Sequence, residues 1–297
     1  MAASFFAPRP SESHKGDFGT ALVIAGSSRY FGAPVLSARA ALRSGCGLCV
    51  LAAPARVIDA SVSAIPEAVF CALEDDPAAL DEFLVKADAV AYGMGLDQDE
   101  RARSILCRVL TLGSAPLLLD ADALNLIAAC SDLRSLLADA RRPLILTPHQ
   151  GELARLAQGI FGAERDAVTS DRALAAKFAA SLAMKLRAVV ALKGYHTLVF
   201  AHNGAGMYRN TTGNPGLARG GSGDALSGII VSLCARFCAP DGDGFKSALN
   251  ATLCGVFLHG LAADIAAERF TQESMLPSDV IESLPAAFKS LALAQER

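Results

Sequence analysis

Asn210-Thr211-Thr212-Gly213-Asn214-Pro215-Gly216-Leu217-Ala218-Arg219-Gly220-Gly221-Ser222-Gly223-Asp224 sets five glycines beside one carboxylate and then turns apolar. The following segment, Ala225 to Phe237, spaces Leu226, Ile229, Ile230, Leu233 and Phe237 with helical periodicity. Gly220 to Asp224 is therefore predicted to form the N-terminal lip of a buried helix. Glycines let successive backbone N–H groups point at one place, and the helix N-terminus adds partial positive charge there. Phosphate is the usual guest of such a lip. Asp224 suits that position when it faces a hydroxyl that must lose its proton as it attacks the phosphate. Taken alone, the same residues also read as a turn with Ser222 or Asp224 as an N-cap.

Working outward, 297 residues with 52% hydrophobic and 19% charged content predict a sizeable core. One domain over residues 1–297 is expected, with a short flexible segment at 1–14. A formal net charge of −3 and a pI near 6.0 give no basic field for nucleic acid or an anionic membrane. The eight cysteines are too sparse for a disulfide scaffold, and Cys71, Cys107, Cys130, Cys234 and Cys254 lie in apolar runs as reduced core thiols. Cys46 and Cys49 form a CxxC at the start of a predicted strand, without a second Cys or His pair to complete a metal site. Phe5 and Phe6 before Pro8 and Pro10 fall short of a secretory core, and charged or glycine residues interrupt every long apolar run. A cytoplasmic protein is expected.

Short apolar runs at Ala21 to Ala25, Leu48 to Ala52, Ala89 to Tyr92, Leu117 to Leu119, Leu144 to Leu146 and Val189 to Leu192 read as doubly covered parallel strands. Helical patterns at Ala33 to Ser44, Asp99 to Leu112, Ala121 to Ala129, Gly151 to Ala157 and Asp171 to Leu186 alternate with them. The predicted fold is α/β, a three-layer α/β/α sandwich on a mostly parallel sheet. Gly159 to Thr169 reads as a mobile loop and Pro240 to Gly244 as a turn. After Val199 a hairpin through His202, Asn203 and Gly204 is expected, then mostly helix. Polar or glycine-rich motifs follow five strand ends: Gly26-Ser27-Ser28, Gly93-Met94-Gly95, Asp120-Ala121-Asp122, Thr147 to Glu152 and Lys193 to Thr197. Ligands gather at that edge of parallel sheets.

Lys15-Gly16-Asp17-Phe18-Gly19, Val23-Ile24-Ala25-Gly26-Ser27, Thr147-Pro148-His149 with Gly151-Glu152, Lys193-Gly194, and Gly213-Asn214-Pro215-Gly216 with Gly220-Gly221-Ser222-Gly223-Asp224 occur in this order. Together they resemble the NAD(P)H-hydrate dehydratase family of the ribokinase-like superfamily, from about Lys15 to about Ala266. The resemblance implies repair of NADHX and NADPHX, nicotinamide cofactors with water added across a ring double bond. ADP or ATP would be the phosphoryl donor with Mg2+. ADP is favoured by analogy, because the chain carries no appended epimerase domain. A homo-oligomer is implied. The competing readings are a vitamin or sugar kinase of the same fold, and a nucleotide-binding sensor without turnover.

Carried over residue by residue, the resemblance makes Asp224 the catalytic base and a contact of the hydrate. Gly220, Gly221, Ser222 and Gly223 become the anion hole. Lys193, Gly194, Tyr195, His196 and Thr197, with Gly223, become the nucleotide segment. Ala33, Gly93, Gly95 and His149 are assigned to the hydrate, with His149 binding rather than transferring protons. Asn214 and Glu152 are assigned to magnesium, directly or through water. Asp120 and Asp122 either cap the helix at Ala123 or line the site. Gln150 and Arg219 depart from the family pattern, and Arg219 could reach a phosphate.

Overall fold

The computed structural model describes residues 9–74, 77–204, 206–237 and 243–293. Among these residues, nine strands form one sheet: β1 (Thr20–Ile24), β2 (Leu48–Ala53), β3 (Val69–Ala72), β4 (Ala89–Tyr92), β5 (Leu117–Leu119), β6 (Leu144–Leu146), β7 (Ala188–Leu192), β8 (Leu198–Ala201) and β9 (Met207–Arg209). Their order is β3-β2-β1-β4-β5-β6-β7-β8-β9, parallel through β7 and antiparallel for the last two pairings. The chain winds outward from β1 to β3, then returns to β4 on the other side of β1. The β1/β4 boundary is therefore the topological switch point, where carboxyl-end loops diverge and leave a crevice.

Among the described residues, twelve helices cover the faces: α1 (Gly32–Arg43), α2 (Ala55–Ser61), α3 (Pro77–Lys86), α4 (Glu100–Thr111), α5 (Asp122–Ala129), α6 (Ser131–Asp139), α7 (Gln150–Phe161), α8 (Arg165–Ser170), α9 (Arg172–Leu186), α10 (Ser222–Phe237), α11 (Gly244–Ser274) and α12 (Pro277–Leu293). Strand side chains alternate between two cores. Ala21 and Val23 of β1 pack with α1, α10, α11 and α12, while Leu22 and Ile24 pack with α3 to α7 and α9. Both faces being apolar explains why these strands read as unbroken hydrophobic runs. The result is the expected three-layer α/β/α sandwich.

Helix α10 lies at the centre of its layer, nearly fully buried from Ala225 to Ala235. Gly228 lets it cross α1 closely, since a Cβ there would collide with the Ser37 carbonyl. Ser37 Oγ in turn donates to the Asp224 carbonyl at 3.1 Å, so α1 fixes the opening turn of α10. Helix α11 is long and apolar enough to span a bilayer by length and composition alone. Here its apolar residues, Ala248 to Ala266, are buried in the core shared with α10 and α12.

Several expectations are corrected. Gly159 to Thr169 is no loop: Gly159 to Phe161 complete α7, and Arg165 to Ser170 form α8. Gly159 serves close approach, because a Cβ there would lie 2.5 Å from the Ala128 carbonyl at the end of α5. Gln150 ties α8 down, its amide donating to Val168 O at 3.1 Å and Thr169 O at 3.0 Å. Within the expected flexible segment, residues 1–8 lie outside the described residues, whereas Arg9 is anchored, donating to Gly45 O at 2.6 Å and covering the Phe18 ring. Pro240 to Gly242 of the expected turn also lie outside them; Asp243 caps α11 and Gly244 begins it. Cys107 and Cys130 are half-buried rather than core.

Candidate functional site

A cavity of about 630 Å³ opens at the carboxyl ends of β5, β6 and β7. Its walls are Lys193 to Thr197, Thr212 to Pro215, Leu217 to Asp224, His149, Asp120, and Val256, His259 and Gly260 of α11. The volume suits one mononucleotide-sized ligand. Its floor is the glycine-rich lip. Gly221 has φ +96°, and a Cβ there would meet Leu36 and Pro277, so only glycine holds this turn. The N–H groups of Gly221 and Gly223 make no backbone hydrogen bond, as expected of an anion hole. Ser222 differs: its N–H turns back to Arg219 O at 3.3 Å. Arg219, itself part of the cavity wall, donates to Glu273 O at 2.7 Å and pins the lip to the end of α11.

Asp224 stands in the first turn of α10 at the cavity wall. Burial, helped by the nearby Asp120 carboxylate and opposed by Lys193, pushes its carboxyl up to about 6. A base poised there is ionised at neutral pH yet basic enough to take a hydroxyl proton as it is released.

Lys193 is not the solvent-facing strand-end lysine that its position allows. Its Nζ is 2.5 Å from Asp120 Oδ1 and 3.7 Å from Glu152 Oε2. It also lies against Gly223, 3.4 Å from where a Cβ would be. Burial opposes its charge, but the two carboxylates outweigh that and hold its pKa above the usual lysine value. Asp120 neither caps a helix nor faces water. It is 1% exposed and accepts from Lys193 and from Ser227 Oγ at 2.8 Å. Asp122 is no side-chain cap either; it accepts from Asp97 N at 2.9 Å and Gln98 Nε2 at 3.2 Å.

His149 is the N-cap of α7, its Nδ1 accepting from Gly151 N at 3.0 Å and Glu152 N at 3.3 Å. Glu152 closes the capping box by accepting from His149 N at 2.8 Å. With Nδ1 an acceptor, the ring proton sits on Nε2. Burial and the Lys193 charge lower the His149 pKa, so a neutral imidazole lines the cavity.

The Lys193 to Thr197 segment is held open as a rim. Arg172 Nη2 donates to Tyr195 O at 2.6 Å and His196 O at 3.3 Å, and His196 Nδ1 bonds Asn210 O at 2.8 Å. Tyr195 is 78% exposed, its ring 4.0 Å from that of His196. The opposite wall hangs from α11: Thr212 Oγ1 donates to Phe257 O at 2.8 Å, and Gly213 N and Asn214 Nδ2 donate to Asp264 at 2.8 and 3.0 Å.

The metal assignment is not built as a direct site. Asn214 spends its amide on Asp264 and its oxygen on Gly216 N at 3.0 Å, while Glu152 serves the capping box and Lys193. Among the described residues no three His, Cys, Asp or Glu side chains group as metal donors. This donor set fits an ion carried on phosphate oxygens with its own waters, not a protein cage.

Ala33, Gly93 and Gly95 do not line the cavity. Gly93 is buried, and a Cβ there would collide with the Asp120 carbonyl, so it serves strand-end packing rather than ligand contact. Gly95 and Ala33 do come together at the β1/β4 switch point, beneath Tyr30: a Cβ on Gly95 would be 2.6 Å from Tyr30 Cβ and 3.1 Å from Ala33 Cβ. Arg29 bridges this crevice to Asp97 at 2.6 Å.

Sequence reasoning left Asp120 undecided and missed Ser227, His259 and Asp264. The available signal was a polar residue inside an apolar helical run. Ser227 and His259 interrupt the buried faces of α10 and α11.

A mostly parallel sheet covered on both faces, with a glycine lip opening a buried helix and a carboxylate beside it, defines a ribokinase-like fold with a candidate anion site. The comparisons narrow this. A family model described as NAD(P)H-hydrate dehydratase matches residues 21–286, and the chain belongs to that family. The bifunctional NAD(P)H-hydrate repair enzyme Nnr of Thermofilum pendens is 37% identical over 96% of this chain and 52% of its own length. The chain thus spans about half the length of the bifunctional relatives it matches. The ADP-dependent (S)-NAD(P)H-hydrate dehydratase of Bacillus subtilis is 33% identical, covering 95% of this chain and 93% of that one. A crystal structure of the ADP/ATP-dependent NAD(P)H-hydrate dehydratase from Bacillus subtilis, co-crystallised with ATP/Mg2+, superposes with a TM-score of 0.80 at 31% identity, covering 98% and 96% of the two chains.

Proposed function

We propose that this chain, acting as one domain, dehydrates NADHX and NADPHX back to NADH and NADPH with ADP as phosphoryl donor. The observation that carries the reading is Asp224: a carboxyl pushed up to about 6, in the first turn of a helix whose glycine lip floors a nucleotide-sized cavity. Asp224 accepts the proton of the ring hydroxyl as its oxygen bonds to the donor's terminal phosphorus. The bond from that phosphorus to the donor's bridging oxygen breaks, leaving AMP. The N–H groups of Gly221 and Gly223 and the Lys193 ammonium meet the charge on the moving phosphoryl. The ring nitrogen lone pair then expels phosphate, the adjacent ring carbon loses a proton, and the double bond is restored. Glu152 is the residue that would hold, through water, a magnesium ion carried on the donor, and the ion would supply charge neutralisation of the phosphates; neutral His149 orients the hydrate.

Hydrated NADH incubated with ADP or ATP supplied separately tests this reading. Reduced-nicotinamide absorbance recovers, with AMP and phosphate accumulating in equal amounts when ADP is used. Nucleotide consumption that leaves a stable phosphate ester would instead favour a small-molecule kinase. Binding of nucleotide without turnover of hydrate or kinase acceptors would favour a sensor. Two further parts of the reading rest on less. Cytoplasmic placement is proposed because the cysteines are too sparse for a disulfide scaffold. A homo-oligomer is proposed by family analogy, which sedimentation would check.

A further inference from the structure

A lysine ammonium close to a general base is a hazard. Left free, it pairs with the carboxylate, stabilises the ionised form and removes the basicity that the reaction uses. Lys193 and Asp224 share the same cavity wall and feel each other's charge, yet the ion pairs of Lys193 go to Asp120 and Glu152. Asp120 is placed to enforce this. One of its oxygens takes Lys193 at 2.5 Å, and the other takes Ser227 Oγ at 2.8 Å, one helical turn below Asp224 on α10. The residue is 1% exposed at the end of β5, so it has no solvent to turn towards. With both oxygens bonded, its carboxylate ties the β7 lysine to the helix that carries the base.

We propose that Asp120 is a positioning residue for phosphoryl transfer: it holds the Lys193 ammonium at Gly223, where the migrating phosphoryl passes, and away from the carboxylate of Asp224. The cost of burying the pair is met by reciprocal bonding, since either partner alone would be an uncompensated buried charge. The other groups facing Asp224 do not substitute for it. Asp122 acts from α5 with the same sign as Asp120, Ser37 of α1 bonds the Asp224 carbonyl, and His259 of α11 is held neutral by burial, at about 4. Glu152 sits farther from Lys193 Nζ, at 3.7 Å, on the side of His149.

This inference rests on Asp224 being the base, and the test separates the two claims. The pH dependence of kcat/KM for hydrated NADH is measured for the wild type, Asp120→Asn and Asp120→Glu, each checked for folding by its melting curve. The wild-type profile is expected to show an acid limb near 6. In D120N, which keeps shape and loses charge, Lys193 turns to Asp224 and the direct push of the Asp120 charge is lost as well. The acid limb is expected to move down by about one pH unit or more, with kcat falling about 10- to 100-fold. D120E keeps the charge and displaces it by one methylene, so its limb stays near the wild-type position while kcat falls. A D120N limb unmoved from the wild-type position overturns the proposal, whatever the rate. Should D120N not fold, a D120E enzyme with wild-type kcat overturns it instead. A wild type without hydrate turnover, or a fully active D224N, refutes the functional reading itself.

Discussion

The strand-end rim of this protein has two halves made of opposite materials. Around β5, β6, β7 and α10 it is a network of buried charge, with Ser227, Asp120, Lys193, Glu152 and His149 linked in series along one wall of an open cavity. Around β1 and β4 it is built from small residues in close contact, Gly95 and Ala33 beneath Tyr30, crossed by an Arg29–Asp97 bridge at the surface. The first half can stabilise moving charge because its dipoles and ions are fixed before a ligand arrives. The second can only shape space. A reaction that activates a hydroxyl on a bulky partner needs both, and on the proposed reading the first half is the donor side and the second the acceptor side of one rim.

The sharpest way to break this division is Asp224→Asn. It is expected to lower kcat by about 10²- to 10⁴-fold while leaving adenine nucleotide binding intact by calorimetry. Wild-type turnover would remove Asp224 from the chemistry. The same variant should be more stable than the wild type. A carboxyl whose folded pKa lies near 6, above its unfolded value, favours folding fully only while protonated, and that contribution is lost as pH rises through the folded pKa. D224N should therefore gain of order 2–3 kcal/mol at pH 7. The gain should vanish by about pH 4, as urea melts at the two pH values would show.

Next in size is Gly95→Ala, where a side chain would press on Tyr30 Cβ at 2.6 Å and adopt φ +64°. About 1–3 kcal/mol of destabilisation is expected from the strained backbone. KM for the hydrate should rise with nucleotide affinity unchanged, and an effect on nucleotide alone would dissolve the two-sided picture. Asp264→Asn should act the other way. Its carboxylate holds Gly213 N and the Asn214 amide, so the expected result is a several-fold weaker nucleotide Kd with hydrate KM preserved. The smallest effect belongs to Arg29→Ser. The pair is largely open to solvent on the arginine side, and such pairs contribute little to stability. The melting temperature should not move, while a raised hydrate KM would show that the bridge frames the acceptor crevice.

The sequence made the donor side readable because glycine, lysine and aspartate in that order have few other uses at strand ends. It also showed six of the seven parallel strands, since double coverage leaves an unbroken apolar signature. Strand β3 escaped because it is a sheet edge whose Val69 is exposed. Gly159 misled for a related reason: a glycine chosen for close helix approach looks the same as one that ends a helix. Asp120 could not be resolved from the chain alone. A carboxylate before a helix reads as a cap, and only the fold brings Lys193, 73 positions later, and Ser227, 107 positions later, to its two oxygens. Gly93 shows the converse, a glycine at the right edge whose reason is a neighbouring carbonyl.

The cavity wall that hangs from Asp264 adds a consequence about time. Its ligand-facing parts come from strand ends spread along the chain, but the Gly213–Asn214 loop is fastened to a carboxylate some fifty positions further on. A ribosome that has made the lip has therefore not yet made this fastening. On the proposed reading, the nucleotide wall is complete only after α11 has emerged and docked.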